Sequence, residues 1–150
     1  MTEIDDKDRQ ILHELLGNAR LTNVDLAERV ALSPSACLRR VQALERSGAI
    51  EGYHARLSPT ARGAGFVAYL AVGLNNHSKA SQEAFERAMA TASEVRECHN
   101  ITGAVEYLLR IEVADLSAYK SFHTDIVGTL PQVASLTSYV VMGSPKDDRA

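Results

Sequence analysis

Tryptophan is absent from this chain and cysteine occurs only twice, at Cys37 and Cys98. Each cysteine falls inside a regular segment and far from any metal-ligand spacing, which excludes a disulfide framework and fits free thiols in a reducing cytoplasm. Long apolar runs are missing too; none approaches membrane-spanning length, so no membrane partner is expected. The first residues, Met1 to Arg9, carry Glu3, Asp5, Asp6 and Asp8 where a secretory signal would have basic and then apolar residues. What remains, 150 residues with 45% hydrophobic and 23% charged side chains, can bury a core and has no compositional mark of disorder. That length admits one ordinary domain or two small ones.

Positive charge is also scarce overall. The formal net charge of −3 argues weakly against nucleic acid, because DNA binders are commonly basic. Its distribution argues the other way. Residues 1–30 hold four Lys/Arg against seven Asp/Glu, whereas residues 39–62 hold Arg39, Arg40, Arg46, Arg56 and Arg62 against only Glu45 and Glu51.

Periodicity places a first helix over residues 5–19, with Ile11, Leu12, Leu15 and Leu16 on one stripe and Gly17-Asn18 as its stop. Thr22 opens a short second helix in a Ser/Thr-x-x-acid pattern, with Leu26, Ala27 and Val30 on one face. Ser33 caps a third helix over residues 34–47. Pro34 sits at its first position, Leu32 and Cys37 are spaced as a hydrophobic staple, and Cys37, Val41 and Leu44 form the buried stripe. Gly48 can take the left-handed conformation that closes it. Two helices joined by a tight turn, with a third to pack on, form a helix-turn-helix unit. Residues 50–57 are expected to be extended, as a wing, and residues 58–65 to be a linker.

From Phe66 the period changes. Strands are expected over 66–74, 95–101, 106–113 and 133–142, and helices over 81–92 and 117–127. The first helix is built on Phe85, Ala88 and Met89, the second on Tyr119, Phe122 and Ile126, with a hairpin turn at Gly103. The order βαββαβ is ferredoxin-like, so the fold class is α+β: a helix-turn-helix domain (1–57), linker (58–65), ferredoxin-like domain (66–142) and tail (143–150) containing Asp147, Asp148 and Arg149. Both helices cover one sheet face. The first strand has no charge on either face, which implies that a second copy covers the other.

Three groups of motifs occur in order: Leu32-Ser33-Pro34-Ser35 with Leu44 to Ile50; Glu97-Cys98-His99 followed by Gly103, Glu106 and Tyr107; and Tyr139-Val140-Val141-Met142. Together they resemble the Lrp/AsnC family over nearly the whole chain. The resemblance implies a feast/famine regulator that binds double-stranded DNA as a homodimer, often assembled into octamers, and responds to a small-molecule effector such as an amino acid. The family loop commonly reads Gly-Asp-x-Asp, where this chain has Gly103-Ala104-Val105-Glu106. An altered ligand preference is therefore expected.

The DNA-binding candidates are Ser33, Ser35, Ala36, Arg39 and Arg40, off the buried stripe near the start of the third helix, where a recognition helix presents side chains to the major groove. Arginine suits that role because its fork fits guanine O6 and N7 or a phosphate. The same arginines could instead form a solvated face, with Arg40 paired to Glu28 or Glu45. Arg46, His54 and Arg56 are weaker phosphate candidates. The effector candidates are Thr102, Gly103, Ala104 and Glu106, with Ser135 added by the resemblance alone: a carboxylate for the ammonium and turn N–H groups for the carboxylate of an amino acid. Cys37 could act as a redox switch near a helix start, but its stripe position fits a core thiol better. Cys98, His99 and His123 do not suit a metal, since neighbours on a strand point to opposite faces. No catalytic constellation stands out, so neither enzyme activity nor a cofactor is expected. An effector-independent DNA-organising protein, or an enzyme carrying a helix-turn-helix, are the competing readings.

Overall fold

The computed structural model describes residues 4–147. The acidic residue Glu3 and the tail residues Asp148 and Arg149 lie outside them. The described chain divides into two compact units, the first ending at Ala55 and the second beginning at Arg56.

The first unit holds α1 (Asp6–Gly17), α2 (Asn23–Arg29) and α3 (Pro34–Arg46). Each start is set by a side chain that accepts a backbone N–H which the helix cannot pair: Asp5 takes Asp8 N–H, Thr22 takes Asp25 N–H and Ser33 takes Ala36 N–H. Asp5 and Asp8 bond reciprocally as a capping box. Ile11, Leu26, Ala27, Val30, Cys37 and Leu44 form the core, with Leu32 partly buried against it. Leu16, expected on the stripe, is instead 89% exposed. It lies five residues beyond Ile11, about 140° around the helix, and α1 ends one residue later at Gly17. The stop there is extended rather than left-handed, with Asn18 at φ −154°.

The turn between α2 and α3 is a Schellman motif. Leu32 N–H donates to Ala27 O at 2.9 Å and Ala31 N–H to Glu28 O at 3.2 Å, and the left-handed position falls on Ala31, φ +53°. A methyl-bearing residue is strained there, whereas the corresponding position after α3 is Gly48 at φ +77°. Beyond Gly48 the segment expected as a wing carries no strand ladder: residues 51–58 pair with no strand among the described residues. The segment returns to α3 through the Tyr53 hydroxyl, which donates to Glu45 Oε1 at 2.9 Å.

The second unit is a four-stranded antiparallel sheet in the order β2-β3-β1-β4, formed by β1 (Phe66–Leu74), β2 (Val95–Asn100), β3 (Tyr107–Val113) and β4 (Val133–Val140). α4 (Lys79–Thr91) and α5 (Leu116–Ser121) cover one face. Alternate residues of β1 and β3 (Ala68, Leu70, Val72, Tyr107, Leu109 and Ile111) join Phe85, Met89, Tyr119 and Phe122 in that core. The Tyr107 hydroxyl, pushed up to about 12 first by burial and then by Glu86, donates to Glu86 Oε1 at 2.7 Å. The helix expected over 117–127 is present but changes type along its length. α5 widens into a π-turn at Phe122–Ile126 and tightens into a 3₁₀ turn at Val127–Thr129. The wider turn lets Phe122 and Val127, five residues apart, both reach the core.

The stretch 58–65 is a folded turn, not slack chain: Ala64 N–H donates to Pro59 O at 2.8 Å and Gly65 N–H to Val113 O at 3.0 Å. The sheet face away from the helices corrects a second expectation. β1 is uncharged there, as Val67, Tyr69, Ala71 and Gly73, but neighbouring β3 contributes Arg110 and Glu112. Their side chains are only 8% and 2% exposed and bond to each other, and Arg62 and Arg96 each approach Glu112 Oε2 to 3.4 Å. β1 alone could not reveal them.

Two outcomes are expected from this backbone. Ala31→Gly should raise stability by roughly 0.5–1 kcal/mol while Gly48→Ala lowers it by about 1 kcal/mol. Urea unfolding of the two variants must show these opposite signs. At the close approach of β1 to β4, a Cβ on Gly73 would lie 2.4 Å from Ser135 Oγ. Gly73→Ala should therefore cost about 1–3 kcal/mol in thermal unfolding, and adding Ser135→Ala should return most of it.

Candidate functional site

In the first unit the N-terminal half of α3 is an open surface. Ser33, Ser35 and Arg39 are exposed, while Ala36 and Arg40 are half-buried. Ser33 accepts Ala36 N–H at 3.2 Å and lies 3.3 Å from Ser35 Oγ, so the cap and the surface share one hydroxyl pair. The Asn23 side chain donates to Pro34 O at 2.8 Å, fixing the start of α2 against the start of α3. Leu38, 45% exposed, and Gln42 complete this face; sequence reasoning passed over both. Leu38 follows a core cysteine and reads as more core, although 100° of helix rotation turns it outward.

Arg40 is not paired to Glu28 or Glu45. Its Nη1 donates to Asp5 Oδ2 at 2.7 Å and to Asp8 Oδ1 at 2.8 Å, binding α3 to the start of α1. The Asp8 N–H and then the Arg40 guanidinium hold the Asp5 carboxyl below its ordinary 3.8. A groove of about 550 Å³ runs beside this bridge, lined by Asp5, Asp8, Ala36, Arg39, Arg40 and Ser47 among others. Arg39 is thus the exposed arginine of the pair. Arg46 and His54 are exposed; Arg56, in the second unit, donates to Asp147 O at 2.5 Å. Cys37 is fully buried, and burial pushes its thiol up, the opposite of what a reactive helix-start thiol requires.

The second unit gathers a different set. Gly103, at φ +139°, turns the β2–β3 hairpin, and Ile101 N–H donates to Glu106 O at 2.8 Å to close it. Thr102, Gly103 and Ala104 form the exposed turn, and Glu106 stands at its far side with its side chain only 19% exposed. The Glu106 carboxylate points across β1: Oε2 accepts Leu74 N–H at 2.6 Å, and Oε1 lies 3.1 Å from His77 Nδ1. Gly73 pairs with Ser135 in the β1–β4 register, just before the register shifts at Leu74. A Cβ on Gly73 would lie 3.9 Å from Glu106 Oε2 as well as against Ser135 Oγ, so this glycine brings Ser135 and Glu106 to one end of the sheet. The sequence reading named Ser135 and Glu106 but missed Gly73, Leu74 N–H and His77. Only the glycine inside an otherwise bulky strand signalled a close approach.

Comparison with known proteins finds a family match in each unit. Residues 4–51 match the winged helix-turn-helix DNA-binding family and residues 67–150 match the Lrp/AsnC ligand binding domain. The leucine-responsive regulatory proteins of Salmonella typhimurium and Escherichia coli are each 40% identical over 144 residues, covering 96% of this chain and 88% of theirs. A transcriptional regulator from Neisseria meningitidis, solved in complex with L-methionine, superposes with a TM-score of 0.92 at 37% identity, covering 97% of this chain and 94% of its own. An AsnC family regulator from Agrobacterium tumefaciens gives 0.89 at 30% identity, covering 95% and 93%. The chain belongs to the Lrp/AsnC family of DNA-binding transcriptional regulators.

Proposed function

We propose that α3 reads operator DNA while the end of the sheet around Glu106 binds an amino acid that modulates DNA binding or assembly. The observation that carries the ligand half is the Glu106 carboxylate. It is mostly buried, anchored through one oxygen by Leu74 N–H, and set beside Ser135 at a place kept open by Gly73. A free amino acid needs an anionic acceptor for its ammonium and N–H donors for its carboxylate. Glu106 supplies the first, and the turn at Thr102, Gly103 and Ala104 offers the second. The relatives named for leucine, and the one solved with L-methionine, support the class of ligand.

On the DNA side, Ser33, Ser35, Ala36 and Arg39 make the contacts, with Arg39 reading a base edge. Arg40, held by Asp5 and Asp8, orients the helix. The protein works in the cytoplasm as a homodimer able to close into octamers. The second copy covers the sheet face that carries Val67, Tyr69 and Tyr139, the last 59% exposed. A regulator role, rather than catalysis, accounts for every site described above.

Arg39→Ala should cost on the order of 1–3 kcal/mol of operator affinity and relax specificity at one base position, read by binding to a randomised operator set. Equal loss on all sequences would make it a phosphate contact. For the ligand, a thermal-shift screen of the common amino acids identifies binders, since a ligand that favours the folded form raises apparent stability. Isothermal titration should then show Glu106→Ala and Glu106→Gln weakened by roughly 10- to 150-fold, the range for losing a charged hydrogen bond. Glu106→Gln keeps an acceptor for Leu74 N–H, so its fold is secure. Unchanged affinity in that variant would move the ligand elsewhere.

A further inference from the structure

Both oxygens of the Glu106 carboxylate already have a neighbour within the chain. Oε2 is committed to Leu74 N–H at 2.6 Å, a backbone donor fixed where the β1–β4 register shifts. Oε1, the oxygen left for a ligand ammonium, already has His77 Nδ1 at 3.1 Å. His77 lies between β1 and α4 in a segment tied down on either side. Asn75 donates from its backbone to Gln132 O at 2.9 Å and from its side chain to Pro131 O at 2.8 Å, and Ser78 caps α4. The imidazole itself is 75% exposed, so it can rotate into solvent while the segment stays in place. On the neighbouring helix α4, Lys79 pairs with Glu83 at 3.6 Å.

We propose that His77 is a built-in competitor for the effector: its imidazole stands against the Glu106 oxygen that the ligand ammonium needs, and binding turns it out to solvent. The inference rests on the effector reading of Glu106. His77 then sets the affinity threshold without contacting the bound ligand, and it penalises only ligands that bring a cation to Glu106. A competitor of this kind weakens binding by the strength of its own contact, which for an exposed pair is small.

Calorimetric titration of the full chain with L-leucine, L-methionine and isocaproate, the leucine analogue without an ammonium, tests this. Wild type, His77→Ala and Glu106→Gln are compared. His77→Ala should bind L-leucine or L-methionine roughly two- to fivefold more tightly than wild type, with isocaproate affinity the same in both. Equal or weaker amino-acid binding by His77→Ala, while Glu106→Gln still loses it, overturns the competitor role and leaves the Glu106 site standing. Tighter binding of isocaproate to the same degree also overturns it, because the gain would then be steric. Failure of both amino acids to bind wild type, or binding unaffected by Glu106→Gln, overturns the site reading and the competitor with it.

Discussion

β1 is bonded along both edges, to β3 and to β4, and the second unit depends on this pairing. A strand in that position must satisfy its backbone on either side and cannot carry a charge toward the helices, where it places Ala68, Leu70, Val72 and Leu74. Its register also performs the functional placement. Val72 pairs with Tyr107 of β3 while Gly73 pairs with Ser135 of β4, so the residues just before β3 and early in β4 meet at one end of the same strand. Glu106 N–H donating to Val72 O at 3.2 Å carries the pairing one step past the regular strand. The carboxylate is therefore held by the sheet, not by a loose loop.

The elements were legible where local chemistry decides. Thr22, Ser33 and Pro34 marked helix starts because unpaired N–H groups need acceptors, or no hydrogen at all, and β1 was legible from end to end because an uncharged run flanked by glycine has few alternatives. Residues 51–58 form no ladder because extended composition does not by itself create a partner strand. The change of helix type after α5 was not legible because a π-turn answers to packing at Phe122 and Val127, which no local signal encodes. Of the site, Glu106 and the Gly103 turn were visible with help from the family resemblance. His77 and Leu74 N–H were not, since their role arises from a distance across strands. Arg40 shows the same limit: helical spacing suggested Glu28 or Glu45, and the true partners lie 35 and 32 residues away.

The charges on the second sheet face change how that face is to be understood. A carboxylate as buried as Glu112 persists only with cationic partners, and Arg110, Arg62 and Arg96 surround it. Among the described residues Arg110 Nε and Glu112 Oε2 are sealed from solvent without a hydrogen-bond partner, although Arg62 and Arg96 stand 3.4 Å from that oxygen. The cluster therefore ties β3 to its neighbours within the chain, and these two atoms meet nothing outside it.

The bridge from Arg40 to Asp5 and Asp8 has a consequence for ions in solution. DNA binding draws much of its strength from counterions released when cations meet phosphates. A guanidinium that already holds two carboxylates brings little net positive charge to the complex and displaces few of those ions. Where α3 meets the operator as proposed, the acidic start of α1 lowers the indiscriminate, salt-sensitive part of binding while leaving the helix firmly oriented. A chain of net charge −3 can in this way favour sequence over mere polyanion.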